Sequence, residues 1–162
     1  MKRILLIIAC SILIRNAFAQ EIKICHKDVT YFNDTINWEL KNQLPDGIYK
    51  IYYDQLKTNL QYSGEIQNYQ RVNKWTWYFE SGTKQTEITY QAGVINGQFI
   101  AYYLNQQQSI TIPYTQGVQN GSTTGWYSTG TKMFEGSYLN GNPSGDWKFY
   151  NADGSLLHEE QL

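Results

Sequence analysis

The stretch Tyr138-Leu139-Asn140-Gly141-Asn142-Pro143-Ser144-Gly145-Asp146-Trp147-Lys148-Phe149-Tyr150 decides the fold, because its pattern recurs along the chain. With Gly145 as anchor, Gly121 and Gly97 stand 24 and 48 residues upstream, preceded by Asn120 and Asn96 as Gly145 is by Ser144. Two positions after the anchors come Phe99, Thr123 and Trp147, and five after come Tyr102, Trp126 and Tyr150. Seventeen after the anchor, and so in the next half-unit, stand Tyr90, Tyr114 and Tyr138, followed at twenty by Gly93, Gly117 and Gly141. Further upstream Asn73 takes the anchor position with Trp75 and Tyr78, and Gly47 takes it with Tyr49 and Tyr52. A fixed period in the 20–50 residue range is the signature of a stacked array.

Each unit reads as two strands. The first alternates, one face carrying Trp75, Trp77 and Phe79 or Tyr49, Ile51 and Tyr53; the second carries Ile110, Ile112 and Tyr114 or Phe134, Gly136 and Tyr138. Turn clusters such as Glu80-Ser81-Gly82-Thr83 and Ala152-Asp153-Gly154-Ser155 separate them, and the Asn-Gly pairs at 96, 120 and 140 supply residues that tolerate positive φ. Short turns force neighbouring strands to run antiparallel. No helical period occurs after residue 19. The expected fold is therefore all-β: an antiparallel meander of about nine to eleven strands in an elongated, curled single sheet, built of about five 24-residue hairpin units. The units lie near 47–72, 73–96, 97–120, 121–144 and 145–162, after an N-terminal strand and degenerate capping half-repeat over 20–46. In that half-repeat Ile36, Trp38 and Leu40 track Phe134, Gly136 and Tyr138.

Residues 1–19 read as a signal peptide. Lys2 and Arg3 precede an apolar run from Ile4 to Ile14, and Ala17-Phe18-Ala19 is a small-x-small cleavage site. The run is shorter than the roughly 20 residues of a spanning helix. A lipobox-like Ile7-Ile8-Ala9-Cys10 is present too, but it leaves a short apolar segment before the cysteine and strands Ile12-Leu13-Ile14 beyond the cut. The expectation is export, to the periplasm, the outer membrane or the medium. Loss of Lys2, Arg3 and Arg15 leaves ten basic residues against fourteen acidic, a net charge of −4, with no basic run to bind nucleic acid. Cys25 is then the single thiol, so an intrachain disulfide is excluded, and it reads as a strand residue or as one half of an intermolecular bridge.

The stretch from Tyr138 through Trp147 and Tyr150 to Gly154 resembles the variant MORN repeat of bacterial proteins, a Tyr-x-x-Gly, three residues, Gly-x-Trp, then Tyr and a turn Gly. It is most similar to the form in the YwqK-type antitoxin family, and the resemblance runs over about residues 29–162. It implies protein or lipid binding and no reaction. Asn73 in place of the anchor Gly, Thr123 in place of its aromatic, and Gln106-Gln107-Gln108 in place of the turn Gly depart from the pattern and imply altered turns there.

One face of the expected sheet is apolar in every unit, which requires the sheet to curl on itself, dimerise or meet a partner. On the other face Tyr52, Tyr78, Tyr102, Trp126 and Tyr150 recur once per unit, about 10 Å apart, among polar or small residues. Such a row either shields the backbone or forms a contact surface for a peptide, glycan or lipid headgroup. Those five residues are the candidate site. His26 and His158 stand at opposite ends of the array, no nucleophile elbow, metalloprotease, P-loop or dinucleotide motif occurs, and the scattered acids read as a solvated face. The expectation is a non-enzymatic binding or scaffolding module for protein partners at the bacterial envelope, with no cofactor or metal. Toxin neutralisation and binding of a glycan or lipid headgroup are the alternatives, and oligomeric state is open.

Overall fold

A computed structural model describes residues 21–25, 31–32, 35–36 and 45–162. The proposed signal peptide, His26 and the Trp38 and Leu40 positions lie outside the described residues. The strands are β1 (Glu21–Cys25), β2 (Tyr31–Phe32), β3 (Thr35–Ile36), β4 (Gly47–Tyr52), β5 (Leu60–Gln67), β6 (Gln70–Tyr78), β7 (Lys84–Gln91), β8 (Val94–Tyr102), β9 (Gln108–Thr115), β10 (Val118–Gln119), β11 (Gly121–Trp126), β12 (Lys132–Leu139), β13 (Asn142–Tyr150) and β14 (Leu156–Gln161).

Twelve of them form one sheet in the order β1-β4-β5-β6-β7-β8-β9-β11-β12-β13-β14, with β10 also on β9, and the sheet does not close. From β4 to β14 each pair is antiparallel and follows chain order, which is the expected meander. The N-terminal end differs. β1 pairs with β4 in parallel, because the long connection from residue 26 to 46 lifts the constraint that a tight turn imposes. β2 and β3 pair with each other in a separate two-stranded sheet, so Ile36 does not take a place in the meander.

Four two-residue hairpin turns recur every 24 residues: Asn68-Tyr69, Ala92-Gly93, Gln116-Gly117 and Asn140-Gly141. Both central residues have positive φ in each, for instance 49° and 81° at Ala92-Gly93, the twist that suits antiparallel ribbons. The Asn-Gly pairs at 96 and 120 are not turns. Gly97 (φ 128°) and Gly121 (φ 116°) sit where the strand bulges. Ile88 pairs with Phe99 and Tyr90 with Ile95, so four residues of β8 span two of β7; the same excess separates Val72 from Thr76 and Ser144 from Lys148. An Asn-Gly pair satisfies a bulge as readily as a turn, and local sequence does not choose between them. At the Asn73 anchor the asparagine itself takes φ 59°.

From β6 onward the second turn of each unit is also uniform, whereas the first unit has a longer loop in which the Tyr53 amide donates to the Asn59 carbonyl. Gly82, Gly130 and Gly154 donate to the carbonyls of Phe79, Tyr127 and Asn151, and Gln106 donates to that of Tyr103 in the same way, with φ 67°. The altered turn expected at Gln106 does not arise. Its side chain instead accepts from the Lys84 amide (3.1 Å) and donates to the Lys84 carbonyl (3.0 Å), contacts that offset the left-handed backbone's cost of about 1–2 kcal/mol.

The apolar face packs by matching large residues to small ones across strands. Trp75, fully buried, lies against Gly64, where a Cβ would come within 2.0 Å of the ring; Trp147 lies on Gly136 at 2.2 Å, and Phe134 on Gly125 at 2.3 Å. These glycines are there for the space they leave, since none has positive φ. The register of Gly64 and Trp75 becomes Ile88 and Phe99 one unit on, then Ile112 and Thr123, then Gly136 and Trp147, so volume is traded between the two positions. Thr123, in place of the aromatic, is buried and donates its hydroxyl to the Thr111 carbonyl at 2.8 Å. The densest packing is N-terminal: Tyr49, Ile51, Tyr62, Ile66 and Trp75 form a buried cluster, flanked by Ile22, Trp77 and Tyr90. From β8 onward Phe99, Ile110, Ile112, Tyr114, Phe134, Tyr138 and Phe149 are only half-buried.

Candidate functional site

Each residue of the candidate row follows a one-residue bulge. Ile51 pairs with Tyr62 but Tyr52 with Leu60, and the same skip recurs at Tyr78, Tyr102, Trp126 and Tyr150. The bulge closes each first strand just before the turn, so the row runs along the turn end of the sheet. It is not uniformly open. Tyr52 is only 8% exposed, whereas Tyr78, Tyr102, Trp126 and Tyr150 are half-buried.

The residue after three of the five row members ties neighbouring units together. Tyr53, Tyr103 and Tyr127 donate their hydroxyls to the carbonyls of Tyr78, Trp126 and Tyr150, at 3.0, 2.7 and 2.9 Å. Phe79 holds the corresponding place after Tyr78 and has no hydroxyl to give. Alternation alone puts Phe79 and Tyr103 on the apolar face with Trp75 and Trp77; in the structure both lie beyond the strand ends and open the turns instead.

Two of the five rings belong to a polar cluster that recurs after 48 residues. Tyr102 donates to Glu87 Oε2 at 2.7 Å, Lys84 donates to Oε1 at 2.8 Å, and the Lys74 ammonium lies 3.7 Å from Oε2. Tyr150 donates to Glu135 Oε1 at 2.6 Å and Lys132 to Oε2 at 2.7 Å. Burial opposes ionisation of Glu87, but the bonds from Lys84 and Tyr102 and the charge of Lys74 outweigh it and hold the carboxyl below its ordinary range. Burial first, and then the carboxylate it faces, pushes the Tyr102 phenol up to about 12. Glu135 is lowered by its bonds to Lys132 and Tyr150, and Tyr150 is raised chiefly by the bond to Glu135.

The scatter of acids along the sequence suggests a solvated face, but Glu87 is buried, its side chain 7% exposed. The signal for it is the recurrence of Lys84-x-x-Glu87 and Lys132-x-x-Glu135 together with a Tyr fifteen residues beyond each Glu. Trp126 sits between the two clusters, with Gln108 and Thr111 at the positions of the lysine and the glutamate. Among the described residues its indole N–H makes no hydrogen bond. His158 stacks on Phe149 at 4.4 Å with the planes 6° apart, which gives it a packing role at the last strand pair.

Residues 71–92 match the MORN repeat variant. The matched stretch holds Trp75 and Glu87 and ends at Ala92, the first residue of the next hairpin turn. No curated protein matches the chain. Among solved structures, one described as the crystal structure of the GtfA/B complex bound to UDP and GlcNAc is similar at 14% identity with a TM-score of 0.30, over 74% of this chain and 25% of that one. The chain spans about a quarter of the length of that protein chain.

Proposed function

We propose that the protein is an exported, non-enzymatic repeat module that holds a protein partner at the bacterial envelope on its aromatic surfaces. The observation that supports this is the pattern of half-buried rings at fixed register positions on both faces: Phe99, Tyr114, Phe134 and Phe149 on one, Tyr78, Tyr102, Trp126 and Tyr150 on the other. Rings of this kind give contact area at low entropic cost, and the hydrogen-bonded frame has already fixed their spacing. The MORN unit supports a scaffold role without naming what is held, since function is grafted onto such folds at particular residues. The cationic start, apolar run and small-x-small site of residues 1–19 support export.

Trp126→Ser is the informative variant, because the indole makes no hydrogen bond among the described residues and its loss leaves the frame intact. Cross-linked co-purification from the envelope of the source cell should recover one stoichiometric protein with the parent chain and lose it with Trp126→Ser. A recovered toxin would narrow the reading to neutralisation. Retention of lipid or polysaccharide with no protein, or a hydrolytic turnover abolished by replacing a carboxylate, would overturn it.

A further inference from the structure

Arg71, at the start of β6, is the single arginine after residue 19 and stands on the apolar face. Its guanidinium carbon lies 4.7 Å from the Trp75 ring centre, 5.8 Å from that of Trp77 and 5.5 Å from that of Tyr90. The rings attract the guanidinium charge through their π faces, and its five N–H donors form a fork suited to oxygen acceptors. The three rings therefore confine the group while supplying charge-compensating contact in place of a carboxylate. Among the described residues only one donor is used, in a long 3.4 Å bond from Nη1 to the Tyr90 hydroxyl.

Among the described residues no carboxylate pairs with Arg71. The acid nearest in register, Glu65, pairs with the neighbouring Val72 and spends its two oxygens on Asn73 (2.7 Å) and Gln67 (2.7 Å). Asp46 accepts from the Asn68 amide instead. The corresponding positions in later units are Ile95, Gln119 and Pro143, so the fold does not need a cation there.

We infer that Arg71 with Trp75, Trp77 and Tyr90 forms a binding site for a carboxylate carried on an apolar body. The fork of donors matches the two oxygens of a carboxylate, three rings hold the group in place, and Trp77, Tyr90 and Ile95 continue the surface for the apolar part. The site goes beyond the partner-binding reading and stands whether or not that partner is a protein.

The test uses the full chain and two matched probes, phenylacetate and the neutral phenylacetamide, followed by the Arg71 Nε–H resonance, assigned by its loss in R71K. Phenylacetate should shift that resonance and bind about ten-fold tighter than the amide, with the preference falling as salt rises. R71K, checked for folding by its thermal transition, should bind phenylacetate several-fold more weakly because a point charge replaces the fork. An N-acetylated, C-amidated tripeptide with glutamate between two leucines distinguishes the sources: binding marks a peptide side chain as the carboxylate carrier, and its failure beside phenylacetate binding marks a small organic acid. Equal binding of acid and amide, or no shift with either acid probe, overturns the site.

Discussion

Trp75 and Trp147 are the same residue in the same register, 72 residues apart, each laid on a cross-strand glycine, yet they live in different surroundings. Trp75 is 0% exposed, donates its indole N–H to the Glu65 carbonyl at 3.1 Å, is covered by Arg71, and belongs to the buried cluster of β4–β6. Trp147 is 6% exposed, its buried indole N–H has no partner among the described residues, and its neighbours Phe134, Tyr138 and Phe149 are half-buried. The carboxylates follow the same trend, the Glu87 side chain being 7% exposed and its equivalent Glu135 36%. Repetition fixes the contact, and position in the array fixes how much water it excludes. In an array each unit leans only on its neighbours, so a well-packed end and an open end coexist in one sheet.

The largest test of this difference is truncation. Trp75→Ala should cost about 3–5 kcal/mol, the upper range for a fully buried aromatic, and Trp147→Ala clearly less, as read from urea melts. An equal loss at both sites would erase the distinction. The glycines come next. Gly64→Ala drives a methyl into a ring that cannot move and should cost about 1–3 kcal/mol, whereas Gly136→Ala meets a ring with freedom to shift and should cost less. Adding Trp75→Leu to Gly64→Ala should recover part of the loss; strict additivity would show that the methyl does its damage elsewhere.

The smallest effect is electrostatic. Because the folded-state pKa of Glu87 is lowered, its stabilising contribution is present above the ordinary carboxyl value of 4.5 and lost as pH falls through the lower folded value. Glu87→Gln should therefore cost about 1 kcal/mol near pH 7 and flatten the acid limb of the stability curve. Glu135→Gln, at the more solvated cluster, should change that limb less. The raised phenol of Tyr102 acts at the other limb: its contribution is present below the ordinary value of 10.0 and lost as pH rises towards about 12, and Tyr102→Phe should remove that step. A steeper acid limb in Glu87→Gln than in the parent chain would contradict the assignment.

Much of this was legible because the information is periodic. The 24-residue recurrence of Gly, Tyr and Trp specified the meander, and the separation of Tyr102 and Trp126 from the apolar face followed from strand alternation. What escaped was local conformation and pairing. Asn96-Gly97 and Asn140-Gly141 are the same dipeptide, yet one bulges and the other turns. Gln106 adopts the left-handed turn because Lys84, in the preceding unit, supplies its bonds. The row's two engaged tyrosines could not be told from its free tryptophan without knowing where Glu87 and Glu135 point.

The sequence by itself determined the all-β class, the two-strand unit and the alternation of an apolar with an aromatic-studded polar face, since each depends only on spacing along the chain. The tertiary structure alone decided which strand end bulges, which glycine makes room for a ring, which carboxylate is buried, and that Arg71 lies over Trp75 with no carboxylate partner among the described residues. Those are contacts between residues 4 to 15 positions apart, set by how the strands pair and by the volume left between them.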